Sequence, residues 1–251
     1  MRKTVRKTAV EWATHHWSPL IGCSTGCVYC FARAYGRRFG ASQGCQQCAD
    51  FVPHLHENEF PATWPTNPSV VFVVPRGDLW SAGVPQEWRD RVFVQLRKAF
   101  REDRPLDFVI LTKRPQEITA KDRRWFVDCW SLWVGVSVTG PEDAWRYRAL
   151  CEAVPAGRRL LSMEPLLERT HGICEGEYPA WAIIGPQTPV MHTDHEMSAI
   201  VRYTVELWGG PGGIPVFVKP AAQKAWPGVP LVQEWPDSMY YKPAASGQGG
   251  D

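Results

Sequence analysis

Three cysteines within eight residues are the part of this sequence best suited to chemistry. Cys23, Cys27 and Cys30 stand at C-x3-C-x2-C spacing. Thiolates are soft ligands that suit iron–sulfur clusters, zinc or copper(I). Three of them can hold three corners of a four-iron cluster and leave the fourth iron open to a small molecule. A structural zinc site takes four ligands, usually in two separated pairs. The triplet therefore favours a [4Fe-4S] cluster over zinc, buried thiols or disulfides.

A second group of ligand-type residues follows at Cys45, Cys48, His54 and His56. Two interpretations fit it equally: a zinc ion that fastens a long irregular segment, and reduced thiols in a loop. An auxiliary cluster would need further ligands. Of the other cysteines, Cys129 and Cys151 fall in helical patterns and are expected in the core.

Alternating apolar strands and amphipathic helices must position these groups. The strand-like segments are 17–21, 69–74, 107–111, 132–138, 159–163, 181–185 and 215–218, and helical patterns cover 28–39, 88–99, 115–130, 144–154 and 194–208. Strands that are apolar on both faces are typical of a parallel sheet covered by helices. The sequence predicts an α/β fold, a partial or complete β/α (TIM-like) barrel, with a doubly wound open sheet as the alternative.

The predicted organisation has three parts. Residues 1–16 form an N-terminal arm, 17–220 the barrel domain with an irregular Cys/His-containing insertion at 40–68, and 221–251 a C-terminal extension whose tail is disordered from Pro243. The 251 residues carry a net charge of +2, which demands no particular partner. No run of 18 apolar residues occurs, so no membrane span is expected. A basic N-terminus without an apolar stretch favours a cytoplasmic protein.

Polar residues stand directly after several predicted strands. They are Asp78, Lys113, Arg114, Ser137, Ser162, Glu164 and Lys219. In β/α barrels the chemistry lies at the carboxyl ends of the strands. Surface loops would be polar too, but a charge beside a buried strand costs desolvation energy unless it is paired or binds a ligand. These residues are therefore candidates for lining a site.

The cysteine spacing resembles the signature of the radical S-adenosylmethionine (radical SAM) superfamily. Segments 22–32, 56–57, 78–80, 111–115, 135–138, 161–167 and 217–219 resemble, in the same order, a phage-associated family of small radical-SAM-like proteins without assigned activity. The resemblance covers residues 15–220. It departs at Gly185-Pro186-Gln187 and at Lys219-Pro220, which puts roles for Gln187 and Pro220 in doubt.

This resemblance implies a set of cofactors and roles. Cys23, Cys27 and Cys30 would hold the [4Fe-4S] cluster, whose electron cleaves S-adenosylmethionine to methionine and a 5′-deoxyadenosyl radical that abstracts hydrogen from the substrate. Tyr29, Asp78 and Ser137 would contact S-adenosylmethionine, with Asp78 the partner of its ammonium group. Ser162 and Glu164 would hold its ribose. Lys113, Arg114 and Lys219 would bind its carboxylate or an anionic substrate.

Partners and substrate follow from the same resemblance. A flavodoxin or ferredoxin would supply the electron. Basic clusters on the helical patterns favour a nucleotide or nucleic-acid base as substrate, and a peptide or small metabolite is the second expectation. The expectation from another class is a non-catalytic, metal-stapled nucleic-acid-binding module.

Overall fold

The computed structural model describes residues 4–169, 173–174, 176–190, 193–209 and 213–241. The strands are β1 (Arg6–Lys7), β2 (His15–Trp17), β3 (Leu20–Ile21), β4 (His54–Leu55), β5 (Ser69–Val73), β6 (Leu106–Thr112), β7 (Leu132–Ser137), β8 (Arg159–Met163), β9 (Trp181–Ile184) and β10 (Val216–Val218). The helices are α1 (Phe31–Phe39), α2 (Gln46–Asp50), α3 (Gln86–Arg101), α4 (Ala120–Asp128), α5 (Trp145–Ala153), α6 (His195–Trp208) and α7 (Ala222–Ala225). Among the helices in these ranges, none has the length and apolarity that crossing a membrane requires.

Eight strands form one mostly parallel sheet in the order β1-β2-β5-β6-β7-β8-β9-β10. Only β1 runs antiparallel to its neighbour. From β2 onward the order in the sheet follows the order in the chain, without the reversal typical of a doubly wound sheet. Within the described residues no pairing joins β1 to β10, so the fold is a mixed α/β structure and not a closed barrel. The outer edge of β10 is covered by a bridge from Phe217 to Gln233.

Both faces of the sheet are buried, which explains the continuous apolar strands. On one face, Val71, Ile110 and Val134 pack in a core that includes Phe93 and Leu96 of α3. The opposite face carries a second apolar cluster, composed of Trp12, Val70, Val109, Trp133, Leu160, Trp181, Ile183, Phe217 and Met239. Successive strand residues point to opposite faces, so each strand contributes to both cores.

The two ends of the chain differ from the sequence-based expectation. Residues 1–16 were predicted as an arm, but they contribute β1 and, with Trp17, β2 to the sheet. The C-terminal extension also packs on the sheet, where the Trp235 indole N–H donates to the Trp12 carbonyl at 3.1 Å. The backbone N–H groups of Tyr240 and Tyr241 donate to the Asp107 carboxylate at 2.7 and 3.2 Å. The tail predicted to be disordered from Pro243 lies outside the described residues.

The 40–68 insertion is connected to the strand that leads to the cysteine triplet. It contains α2 and β4, and β4 pairs antiparallel with β3, with Ile21 opposite His54. Cys23 donates its backbone N–H to the Phe51 carbonyl at 3.4 Å. The insertion therefore packs against the cysteine loop and supports its conformation.

Candidate functional site

The loop that carries the three cysteines is built on two glycines in left-handed conformation, Gly22 (φ 98°) and Gly26 (φ 80°). At Gly22 a Cβ atom would lie 2.4 Å from the backbone of Val52, so only glycine fits. Cys30 precedes α1, and its sulfur accepts the Arg33 backbone N–H at 3.3 Å. All three thiols are free and half-buried.

A single pocket of about 300 Å³ gathers most of the residues named from the sequence. The predicted site residues that line it are Cys23, Cys27, Cys30, Tyr29, Asp78, Lys113, Ser137, Glu164 and Lys219. They come from loops that follow β3, β5, β6, β8 and β10 and from the end of β7. Gln187, whose role the sequence put in doubt, also lines the pocket. Residues far apart in the chain therefore meet at the carboxyl edge of the sheet.

Asp78 is fully enclosed in the pocket wall and is occupied by its own neighbours. One of its oxygens accepts from the Trp80 backbone N–H at 2.9 Å and the Thr112 hydroxyl at 2.8 Å. The other accepts from the Lys113 backbone N–H at 2.9 Å and from Thr112 at 3.0 Å. Burial raises the pKa of Asp78 above its ordinary value despite these bonds. This geometry makes Asp78 a clamp between the loops after β5 and β6. The ammonium contact predicted for Asp78 stays a prediction.

Lys113 presents a half-buried cation to the pocket. Its ammonium lies 5.8 Å from the centre of the Tyr29 ring. Burial lowers the pKa of Lys113 below the ordinary lysine value. Among the described residues no carboxylate lies within ion-pair distance of this ammonium, so it is available to an anionic ligand. Burial, and then the neighbouring Cys27, raise the pKa of Tyr29 to about 12, which keeps its phenol protonated.

Glu164 and Lys219, which follow β8 and β10, form the centre of a charged cluster in the pocket wall. The Lys219 ammonium lies 3.2 Å from a carboxylate oxygen of Glu164 and 3.2 Å from one of Glu11. Burial alone would lower the pKa of Lys219, but the two carboxylates outweigh burial and raise it. The other Glu164 oxygen accepts from the Trp12 indole and the Ser162 hydroxyl, both at 3.2 Å. Lys219 is thus paired, and Glu164 is held in one orientation.

Two predicted residues do not face the pocket. The Arg114 guanidinium turns to Glu117, with 3.1 Å between nitrogen and oxygen. Ser162 lies fully buried behind Glu164 and orients it. Sequence reasoning also missed Glu11 and Trp12, which belong to the loop between β1 and β2. No spacing in the sequence marks them, because their position depends on how two very short strands pair.

Four side chains of the insertion lie close enough together to bind one metal ion: Cys45, Cys48, His54 and His56. One ligand atom from each lies within 4.8 Å of those of the others. The Cys45 sulfur is 3.4 Å from the His54 Nε2 atom, and the Cys48 sulfur is 3.2 Å from the His56 Nε2 atom. Zn–S bonds of about 2.3 Å and Zn–N bonds of about 2.0 Å in a tetrahedron would separate sulfur and nitrogen by about 3.5 Å. The four side chains could therefore hold a metal ion, and these sulfur–nitrogen separations are compatible with zinc.

The surroundings of both histidines suit metal binding. The Nδ1 atom of His54 lies 2.8 Å from the Val52 carbonyl, to which it can only donate. In the neutral tautomer that this bond selects, the lone pair lies on Nε2, which faces the thiols. Burial, reinforced by His54 and by two arginines, lowers the pKa of His56 to about 4, so its ring is neutral.

Comparison with known proteins places the chain in a family. A model described as "Protein of unknown function (DUF5131)" matches residues 7–195. The chain belongs to the DUF5131 family. The matched region contains both cysteine groups, Glu11 and Glu164, and ends before Lys219. A search of the curated proteins and one of the solved structures returned no match.

Proposed function

We propose that this DUF5131 protein is a radical SAM enzyme that acts on a nucleotide or nucleic-acid base. The observation that carries the proposal is the position of the C-x3-C-x2-C thiols. All three line one pocket together with polar residues from the carboxyl ends of the parallel strands. The same convergence, and the sequential strand order, support an incompletely closed β/α barrel of the radical SAM type.

The residues present fit a [4Fe-4S] cluster. Three free thiols are available, and a fourth ligand position would remain open. The backbone N–H of Thr25 lies 3.3 Å from the Cys23 sulfur and would stabilise a thiolate there. When bound, the cluster supplies the electron that cleaves S-adenosylmethionine into methionine and a 5′-deoxyadenosyl radical. A flavodoxin or ferredoxin is the proposed reductant.

The chain's own residues bind and orient the ligand. Lys113 has no carboxylate partner among the described residues, and its ammonium suits the carboxylate of S-adenosylmethionine. Glu164 is held by Trp12, Ser162 and Lys219, and its fixed carboxylate suits the ribose hydroxyls. Apolar side chains, among them Phe72 and Leu111, also line the pocket and suit the non-polar parts of the ligand.

Replacing Cys27 by Ala tests the assignment, with Cys151→Ala as the matched control. Both variants remove one thiol, but Cys151 lies on α5 outside the pocket. In anaerobically purified protein, Cys27→Ala should lose most of its iron and all formation of 5′-deoxyadenosine under reducing conditions. Cys151→Ala should keep both. A Cys27→Ala protein that retains four irons and cleaves S-adenosylmethionine would refute the proposal.

We also propose that Cys45, Cys48, His54 and His56 hold a zinc ion that rigidifies the insertion behind the cysteine loop. Two thiolates and two imidazoles are a common structural zinc set. Elemental analysis should find one zinc per chain beside the iron, and a Cys45→Ser/Cys48→Ser variant should lose the zinc alone. Iron that disappears in that variant would argue for an auxiliary cluster. A colourless wild-type protein that contains only zinc would favour the metal-stapled nucleic-acid-binding module.

A further inference from the structure

A second cavity, of about 780 Å³, lies beside the pocket of the cysteine triplet. Its polar wall includes Arg6 of β1, His16 of β2 and Arg76 of the loop after β5, and three of the proposed zinc ligands, Cys45, Cys48 and His56, line its other side. Phe31, at the start of α1, lines both cavities, so the two meet at this side chain. The Arg76 carbonyl accepts the Gly22 backbone N–H at 3.0 Å, which fixes this loop against the cysteine loop.

Among the described residues that line this cavity, Arg76 is a cation without a carboxylate partner. Arg6 is neutralised by Glu59, with 2.5 Å between guanidinium and carboxylate. Burial, followed by the charges of Arg76 and Arg6, lowers the pKa of His16, so that ring is neutral near pH 7. The Arg76 guanidinium instead lies over the Tyr35 ring, 5.8 Å from its centre. Among the described residues no carboxylate lies within ion-pair distance of Arg76.

Aromatic rings extend from the cavity junction along α1. Phe31 is 75% exposed, which is unusual for a phenylalanine on the wall of two cavities. The centres of Phe31 and Tyr35 lie 6.1 Å apart, and those of Tyr35 and Phe39 lie 4.9 Å apart. An exposed ring beside an unpaired guanidinium is the arrangement with which proteins stack a nucleobase and bind its phosphate.

We infer that this second cavity binds a phosphate group of the substrate through Arg76, while Phe31 stacks on the base that enters the pocket of the cysteine triplet. The inference rests on the proposed function and narrows its substrate to a phosphate-bearing nucleotide or nucleic acid. Arg76 is a binding residue, so the bond-breaking step does not involve it. Arginine suits this task because its planar guanidinium pairs with two phosphate oxygens at once.

Binding of a labelled single-stranded oligonucleotide, measured by fluorescence anisotropy at several salt concentrations, tests the inference. Arg76→Gln should weaken binding about tenfold or more, since a hydrogen bond to a charged group contributes roughly 1.5–3 kcal/mol. It should also reduce the slope of log K against log salt by about one. Phe31→Ala should weaken binding without changing that slope, because stacking releases no counterions. Arg202→Gln, on the exposed surface of α6, is the control and should bind as wild type.

Competition identifies the source of the phosphate. A nucleoside 5′-monophosphate that displaces the oligonucleotide, where the nucleoside alone does not, assigns the cavity to a mononucleotide. Failure of the monophosphate to compete assigns it to a phosphodiester chain. The inference would be overturned if Arg76→Gln bound the oligonucleotide with the same affinity and salt dependence as the wild-type protein. It would also be overturned if the wild-type protein bound neither the oligonucleotide nor the monophosphate.

Formation of 5′-deoxyadenosine without substrate, measured on the same proteins, separates this inference from the proposed function. Wild type and the Arg202→Gln control should both form it. Cleavage by wild type, together with oligonucleotide binding that Arg76→Gln leaves unchanged, would overturn the phosphate site alone. If the wild-type protein did not cleave S-adenosylmethionine but bound the oligonucleotide in an Arg76-dependent way, the proposed radical SAM activity would be refuted and the phosphate site would stand.

Discussion

Lys219→Met would remove the cation that two carboxylates share. The Lys219 ammonium lies 3.2 Å from both Glu164 and Glu11, and the side chains of Lys219, Glu164 and Glu11 are 19%, 16% and 34% exposed. Methionine keeps the apolar stem but leaves two carboxylates facing each other. Removing one partner of a fully buried pair costs about 3–5 kcal/mol, whereas exposed pairs contribute about 0–1 kcal/mol. For this partly exposed cluster we expect unfolding to become easier by about 2 kcal/mol.

A double-mutant cycle with Glu164→Gln isolates the ion pair. The free energy of unfolding would be measured by urea titration near pH 7 for wild type, both single variants and the double variant. Two charges about 4 Å apart attract by roughly 4 kcal/mol at an effective dielectric constant of 20, before desolvation is subtracted. The expected coupling energy is therefore about 1–2 kcal/mol, within the range for residues in contact.

The control for this cycle is Lys224→Met, which removes an exposed lysine of α7. It should change the free energy of unfolding by no more than about 0.5 kcal/mol. A coupling energy below about 0.3 kcal/mol would mean that the two sites behave independently. That result would refute the ion pair and leave only Trp12 and Ser162 to orient Glu164 for its proposed ribose contact.

Three further substitutions test other parts of the site and its support. Gly185→Ala should destabilise the fold by about 1–3 kcal/mol through overpacking, because the added Cβ would lie 2.6 Å from the Lys219 side chain. Gly157→Ala is the control: it has open space around it and should leave the melting temperature unchanged in the same thermal melts. Thr112→Val removes the hydroxyl that donates to Asp78 and should cost about 1–3 kcal/mol in urea unfolding; a neutral result would contradict the clamp. Burial raises the pKa of Asp107 to about 6, so this group stabilises the fold fully below its unfolded pKa and loses that contribution as the pH rises through 6. The stability of wild type relative to Asp107→Asn should therefore rise by about 1 kcal/mol from pH 7 to pH 5, and an unchanged difference would show that the carboxyl does not titrate there.

The long parallel strands and the cysteine triplet could be predicted from the sequence. The segment Arg159–Met163 is a strand with the predicted bounds, and β6 and β7 differ from prediction by one residue at one or both ends. These strands are buried on both faces, so their composition alone identifies them. Asp78, Lys113, Glu164 and Lys219 could be named as pocket residues because a parallel sheet brings strand ends to one edge. The [4Fe-4S] cluster and its substrate stay predictions.

The tertiary structure decided what the polar residues do once they meet. Asp78 and Lys219 were predicted to contact ligand, and this stays a prediction. Within the protein, Asp78 accepts a hydrogen bond from Thr112, and Lys219 pairs with Glu164 and Glu11. Such pairings depend on distances of a few ångströms between elements far apart in the chain, which spacing within one segment does not encode. The open strand order, the two short strands of residues 6–17 and the C-terminal cover of the sheet are likewise set by packing between distant segments. A strand of two or three residues has too little pattern to be read locally, so its place is fixed only when the rest of the sheet offers it a partner.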